Sequence, residues 1–160
     1  MHVEHHEMEE DAMNSRSGPF WDAINGRGPM PRAAATLGFE LIDVDVEHGT
    51  IEIAFRAIED FTNPTGNVLG AFVAAMLYDT VGPALLATLA PDQFQSTLGI
   101  TVNFLRPVRP GRLIGKGRVV HRDGDIASLE ASLLDPHGTL IATATATARV
   151  IALDQARSAA

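Results

Sequence analysis

The pattern of apolar and polar positions divides the chain into strand-like and helix-like segments. Between residues 39 and 55, apolar and polar residues alternate on both sides of a His48-Gly49 turn. This period of two predicts a hairpin of two half-buried strands. The segment from about Leu69 to Leu89 is apolar throughout and rich in Ala, Leu and Met. Its length and composition favour a helix buried on all sides.

Four more strand-like segments follow the predicted helix. They begin near residues 94, 111, 125 and 139, and turns rich in Gly, Pro and Asp separate them. The last of them, TLIATATATARVI, alternates Thr with Ala over most of its length. It therefore predicts a strand with small apolar groups on one face and hydroxyl groups on the other.

The predicted order is a helical lead-in from Pro19 to Gly38, two strands, one long helix and four strands. An antiparallel sheet of about six strands wrapped around the helix is the economical arrangement, because a helix that is apolar all round must be covered. Six strands cannot enclose it alone, so we expect a second copy of the chain to complete a homodimer or a dimer of dimers. The predicted boundaries are a disordered tail at 1–17, one domain at 18–153 and a C-terminal tail at 154–160.

Composition excludes several classes of function. The chain has 160 residues, a formal net charge of -8 and a pI near 5.1. An acidic protein of this kind is a poor ligand for nucleic acid or an anionic membrane surface. The absence of cysteine excludes disulfides, thiolate metal sites and cysteine nucleophiles. The first residues lack the basic and apolar regions of a secretory signal, so a cytoplasmic location is the default expectation.

The histidines do not predict a metal centre. Three of the six, His2, His5 and His6, lie in the charged N-terminal segment, whose composition favours disorder over metal binding. The other three stand beside Gly or Asp in predicted turns, without ligand spacing. We therefore predict neither a metal nor another cofactor.

The stretch NPTGNVLGAFVAAMLYDT carries the candidate chemistry. Asp79 is the only charged residue of the predicted helix, and burial of a carboxylate is unfavourable unless it is paired or hydrogen-bonded. It therefore faces solvent, contacts a polar group from elsewhere or belongs to a site. At the helix start, the backbone N–H of Gly70 lacks a partner within the helix and is suited to bind an oxyanion. Asn63 in the preceding turn can donate an amide hydrogen bond.

This stretch and the order of elements resemble the hotdog-fold thioesterases, in the group of the phenylacetate-degradation thioesterases. The resemblance covers roughly residues 19 to 151. Four positions of the family pattern match and three differ. Asn63, Pro64, Gly66 and Gly70 match, Leu69 replaces a His or Gln, Ala71 replaces a second Gly, and Tyr78 occupies the usual position of the catalytic acid, with Asp79 one residue later.

The resemblance implies an α+β hotdog fold that hydrolyses acyl-coenzyme A thioesters without a metal, at sites shared between two subunits. It makes Asp79 the base or nucleophile and the Gly70 N–H the oxyanion donor, with Asn63 and Thr97 placing the attacking water. Aryl- or medium-chain acyl groups are expected as substrates. Substrate contacts are predicted at Gly66, Leu69, Ala71 and Tyr78, and contacts to the coenzyme A phosphates at Arg106, Arg109 and Arg122.

Two other functions stay open on the sequence. A non-catalytic acyl-coenzyme A binder on the same fold is supported by the simultaneous departures at Leu69, Ala71 and Tyr78. A structural oligomer or a dehydratase of the hydratase branch is less favoured, because hydratases with this fold carry an Asp/His pair and no His lies near the helix. Pro83 is expected to bend the helix, since it cannot donate to the carbonyl of Asp79.

Overall fold

The secondary structure follows the predicted order. A computed structural model describes residues 2–158. Three lead-in helices, α1 (His2–Asn14), α2 (Pro19–Ile24) and α3 (Arg32–Thr36), precede the strands β1 (Glu40–Asp45) and β2 (Thr50–Ala57). A 3-10 turn at Glu59–Phe61 leads to the long helix α4 (Gly70–Leu86). The remaining elements are β3 (Gln93–Phe104), β4 (Gly111–Asp123), β5 (Ile126–Leu134), β6 (Leu140–Ala152) and α5 (Leu153–Ser158).

The six strands form one antiparallel sheet in the order β1-β2-β4-β5-β6-β3. Helix α4 packs against β2, β3, β4, β5 and β6. The structure therefore confirms the predicted α+β hotdog fold, with about six strands around one central helix. The predicted character of the last strand is also confirmed, because alternate alanines of β6 are buried against the core while the intervening threonines face outward (Ala142, Ala144, Ala146 and Ala148 inward; Thr143, Thr145 and Thr147 outward).

Two glycines of β4 fix how α4 lies on the sheet. Thr80 of α4 is fully buried, and its hydroxyl donates to the Met76 carbonyl at 2.7 Å. A Cβ atom at Gly115 would collide with the Thr80 hydroxyl, and one at Gly117 would lie 3.0 Å from the Thr80 Cγ2. The absence of these two side chains lets the helix approach the sheet closely. Because consecutive helical residues differ by about 100° in direction, this contact also determines where the neighbouring Asp79 points.

Helix α4 is not buried on all sides within one chain. The residues from Thr80 to Leu85 are buried, as predicted, but Ala71 is exposed and Tyr78 is 47% exposed. The prediction of burial all round is therefore wrong for the first half of the helix in a single copy. Helix α4 also continues through Pro83 to Leu86, although Pro83 cannot donate to the Asp79 carbonyl.

A helix lies at each of the two predicted tails. Where the sequence predicts disorder at 1–17, the structure has α1, whose Met13 packs against the core and accepts a hydrogen bond from Asn25. Glu, Met and Ala favour a helix there once one end has tertiary contacts. The side chains of His2, His5 and His6 lie outside the described residues. At the other end, α5 occupies part of the predicted tail.

The two edges of the sheet have different character. The edge strand β1 is short and carries Glu40, Asp43 and Asp45, and such charges discourage pairing with another chain. The other edge strand, β3, has 12 residues and, within the described part of the chain, pairs on one side only, with β6. Leu98 and Phe104 of β3 are more than half exposed. No helix among residues 2–158 combines the length and the apolar character needed to cross a membrane.

Candidate active site

A cavity of about 400 Å³ lies beside Asp79, between the lead-in helices and β3. Its walls are mostly apolar, and α2, α3 and the residues that flank them supply the side opposite the carboxyl group. Helix α4 and strand β3 supply the rest. The lining residues are Pro19, Phe20, Ala23, Ile24, Met30, Pro31, Ala34, Phe39, Tyr78, Asp79, Gly82, Pro83, Leu86, Phe94, Gln95, Ser96 and Thr97.

The environment of Asp79 makes it the chemically distinctive group of this cavity. One of its carboxyl oxygens, Oδ2, is buried and has no hydrogen-bond partner among the described residues. Burial raises the pKa of the Asp79 carboxyl from 3.8 to about 6. Such a group is a stronger base than an ordinary aspartate and is still largely ionised at neutral pH. Tyr78 also lines this cavity, but it is 47% exposed.

Strand β3 brings polar side chains to the same cavity. The Thr97 hydroxyl donates to the Gln95 Oε1 at 3.1 Å. The register of β3 on β6 shifts between Thr97 and Gly99, which marks a β-bulge. Bulges redirect side chains, and here the bulge lets Thr97 and the core residue Ile100 face the same side of the sheet. The structure thus places the predicted residue Thr97 with Asp79.

A second cavity, of about 270 Å³, lies at the N-terminal end of α4. Asn63, Gly70 and Arg106 are among its lining residues. The N–H of Gly70 donates to no acceptor in the part of the chain described, as expected for the first residue of a helix. A Cβ atom at Gly70 would lie 3.3 Å from the Phe104 ring, so the glycine also allows this ring to pack against the helix start.

The turn before α4 holds Asn63 in one orientation. Its Oδ1 accepts hydrogen bonds from the Thr65 N–H at 3.0 Å, the Thr65 hydroxyl at 2.7 Å and the Asn67 N–H at 3.1 Å. The side-chain amide of Asn63 has no acceptor within residues 2–158 and stays available to a ligand. Gly66 has a φ of +81°, so its role is to shape this turn.

The predicted arginines have different surroundings. Arg109 donates to the Thr65 carbonyl at 3.2 Å and so braces the turn. Arg106, at the second cavity, has a guanidinium group without a partner among the described residues. Arg122 donates to the Gly124 carbonyl at the far end of β4 from Arg106 and Arg109. One chain therefore does not bring the three arginines together.

The predicted catalytic residues fall into two clusters within one chain. Asp79 and Thr97 line the first cavity, whereas Asn63 and Gly70 line the second. Gly70 and Asp79 are nine residues apart on one helix, which corresponds to about 13 Å along its axis. A single thioester carbonyl cannot contact both residues of the same chain. The other predicted contacts, Leu69 and Ala71, are exposed at the helix start.

Sequence reasoning missed Gln95 and the apolar wall of the first cavity. Gln95 belongs to no motif of the sequence, and only the structure shows that it lines the same cavity as Asp79. The sequence predicted the residues of this wall only as a helical lead-in, without a role in a site. No group of three or more His, Asp or Glu that could hold a metal occurs in the described residues.

Comparisons with known proteins agree with the fold. A model of the thioesterase superfamily matches residues 65–142, and no curated protein matches the chain. A solved phenylacetic acid degradation-related protein from Ralstonia eutropha JMP134 is 37% identical over 81% of this chain and 98% of its own, with a TM-score of 0.79.

Two more distant structures share the fold. The PaaI protein from the phenylacetic acid degradation operon of E. coli is 16% identical over 82% of this chain and 93% of its own, with a TM-score of 0.73. A thioesterase from Haemophilus influenzae is 19% identical over 88% of this chain and 96% of its own, also with a TM-score of 0.73. The similarity to the Ralstonia protein covers nearly its whole length. The chain therefore belongs to the thioesterase superfamily, in the group of the phenylacetic acid degradation thioesterases.

Proposed function

We propose that this thioester hydrolase acts on acyl-coenzyme A, with Asp79 as the general base. The observation that carries the proposal is the Asp79 carboxyl group itself. It has a raised pKa of about 6 and an unpartnered oxygen, and it lines an apolar cavity. A structural role does not require a buried carboxylate without a partner, because that arrangement is unfavourable for the fold.

The proposed reaction is attack of water on the thioester carbonyl. Asp79 accepts a proton from the water while the new C–O bond forms, and a backbone N–H at Gly70 stabilises the developing oxyanion. The C–S bond then breaks, and the coenzyme A sulfur takes the proton back from Asp79. The products are a free carboxylic acid and coenzyme A. Thr97, which lines the cavity with Asp79, and the free amide of Asn63 would help to place the water and the carbonyl group.

This mechanism requires two copies of the chain. Because about 13 Å separates Gly70 from Asp79 along one helix, the oxyanion donor must come from a second subunit. The unpaired edge of β3 and the exposed Tyr78, Leu98 and Phe104 give that subunit an apolar surface to cover. We therefore propose a homodimer that forms across this surface and shares its two sites, alone or as half of a tetramer.

The substrate preference follows from the cavity. A volume of about 400 Å³ is in the range of small-molecule pockets. Apart from Asp79, none of its lining residues in the described chain is an acid, Lys, Arg or His, so an uncharged acyl group fits best. We propose an aryl or medium-chain acyl group. Arg106 would contact the coenzyme A phosphates, whereas Arg109 holds the turn and Arg122 would contribute from the other subunit.

The test is hydrolysis of a panel of aryl- and medium-chain acyl-coenzyme A thioesters by wild type and Asp79→Asn. We expect turnover by the wild type and a loss of about 100-fold or more in the variant. Undiminished turnover by Asp79→Asn would exclude Asp79 as the base. Tight binding of a non-hydrolysable analogue, with no turnover by the wild type, would instead favour the non-catalytic binder suggested by the changed positions 69, 71 and 78.

A further inference from the structure

Gln95 lies at the proposed site but takes no part in the mechanism proposed for it. It is in β3, two residues before Thr97, and it lines the same cavity as Asp79. In the register of the sheet, Gln95 stands opposite Val150 and Thr97 opposite Ala148. Both partners in β6 are buried against the core. Directly paired residues project to the same side of a sheet, so Gln95 points toward α4.

Helix α4 has a glycine where the Gln95 side chain meets it. A Cβ atom at Gly82 would lie 3.0 Å from the Gln95 Nε2 and 3.8 Å from its Cδ, and no other atom of the described residues outside its own stretch of helix would lie within 4 Å. Gly82 is buried in a helix interior, where glycine is unfavourable relative to alanine. The space that its missing side chain leaves is occupied by the Gln95 amide alone.

Gly82 is also one helical turn beyond Asp79, and residues three apart lie on the same face of a helix. The Gln95 amide therefore meets α4 on the same face as Asp79, in the cavity that both residues line. Its Oε1 accepts the Thr97 hydroxyl proton at 3.1 Å. A carbonyl oxygen has two lone pairs, so this atom keeps one site for a second donor.

We propose that Gln95 is a further residue of the catalytic site, which holds the attacking water beside Asp79, and that Gly82 exists to make room for it. The water donates one hydrogen to Asp79 and the other to the Gln95 Oε1, which directs its oxygen lone pair at the thioester carbon. Thr97 acts as a positioning residue, because its hydroxyl fixes the orientation of the Gln95 amide. This inference rests on the proposed thioesterase function.

The first measurement is steady-state hydrolysis of the best acyl-coenzyme A of the panel by Gln95→Ala. We expect kcat to fall about 10- to 100-fold with KM nearly unchanged, because the water, and not the substrate, loses its contact. Gln93→Ala is the matched control, since Gln93 is in the same strand but does not line the cavity. It should keep wild-type kcat.

The second measurement is a double-mutant cycle with Gly82→Ala. In the wild-type background the new methyl group displaces the amide, so kcat should fall severalfold. In the Gln95→Ala background the new methyl group meets open space, so Gly82→Ala should leave kcat unchanged. Equal effects of Gly82→Ala in both backgrounds would show that Gly82 acts independently of Gln95 and would overturn the pairing.

The third measurement is the pH profile of kcat for Gln95→Glu. Among the described residues, Tyr78 and Asp79 are the only titratable groups that line the cavity. A second carboxylate beside Asp79 should therefore move the acid limb of the profile to higher pH, through like-charge repulsion. An unchanged acid limb would show that the side chain at position 95 is too far from Asp79 to share a water with it, and would overturn the proposal.

The outcomes separate this inference from the function on which it rests. No turnover by the wild type on any acyl-coenzyme A would overturn both. Wild-type turnover with an undiminished kcat in Gln95→Ala would overturn the role of Gln95 and leave the thioesterase proposal intact.

Discussion

Replacing Asp79 by Asn should remove activity and at the same time stabilise the protein at neutral pH. Burial raises the pKa of Asp79 from 3.8 in a free chain to about 6 in the fold. The folded state therefore binds more protons than the unfolded state between these two values. The contribution of Asp79 to wild-type stability should therefore be greatest below pH 3.8 and should decrease as the pH rises through 6.

The size of this effect follows from the difference between the two pKa values. One pKa unit corresponds to about 1.4 kcal/mol, so a difference of about two units corresponds to about 3 kcal/mol. Residual contact with solvent reduces this to about 2 to 3 kcal/mol. Because the asparagine side chain carries no charge at any pH, the free energy of unfolding of Asp79→Asn should gain this amount over the wild type between pH 4 and pH 8.

The assay is urea unfolding of both proteins at a series of pH values and one protein concentration, since an oligomer gains stability with concentration. Carboxyl groups other than Asp79 contribute equally to both proteins and cancel in the difference. Asp60→Asn, at an exposed position, is the matched control. Its free energy of unfolding, plotted against pH, should run parallel to that of the wild type. If the curves of Asp79→Asn and wild type are also parallel, the carboxyl group is not desolvated in the native state and the reasoning is refuted.

The same group sets the pH dependence of catalysis. The wild-type kcat should rise with pH through an acid limb near pH 6, because only the ionised Asp79 accepts a proton. Stability and activity then change in opposite directions across the same pH range. That opposition is typical of a buried functional group that is unfavourable for the fold.

Three further predictions concern other parts of the molecule. Tyr78→Phe should keep kcat within about twofold, because the exposed phenol is a poor base at neutral pH; a tenfold loss would contradict this. Arg106→Ala should raise KM for acyl-coenzyme A about tenfold at low salt, since phosphate contacts are charge-assisted. Arg149→Ala, in an exposed part of β6, should leave KM unchanged, and equal effects of the two variants would exclude a phosphate site at Arg106. Gly115→Ala should lower the free energy of unfolding by about 1 to 3 kcal/mol, because the new methyl group collides with the buried threonine hydroxyl of α4. Gly28→Ala, where a Cβ atom has ordinary room, should lower it far less, and equal urea midpoints for the two variants would refute the packing argument.

The sequence by itself determined the order of the elements and the fold class. Periods of two fixed the hairpin and the four later strands, and the apolar run fixed α4, because these patterns follow from which side of each element is buried. The alternation of Thr and Ala in β6 predicted its two faces correctly. The sequence also identified Asp79 as the residue in need of an explanation, since burial of a lone carboxylate without a partner is unfavourable.

The direction of Asp79 was decided only by the tertiary structure. The close packing of Thr80 on Gly115 and Gly117 sets the rotation of α4 about its axis. In this rotation Asp79 lines the cavity, whereas Tyr78 stays half exposed. No local pattern encodes a contact between residues more than thirty positions apart.

The composition of the site was also decided by the tertiary structure. Gln95 and the wall built by the lead-in helices reach Asp79 across long stretches of chain, and the bulge in β3 sets which side chains face inward. The separation of Asp79 from Gly70, by contrast, already follows from the predicted helix, because nine helical residues span about 13 Å. Local sequence patterns specify which face of each helix or strand is buried. The chemistry of a site depends instead on which elements, far apart in the sequence, the fold brings into contact.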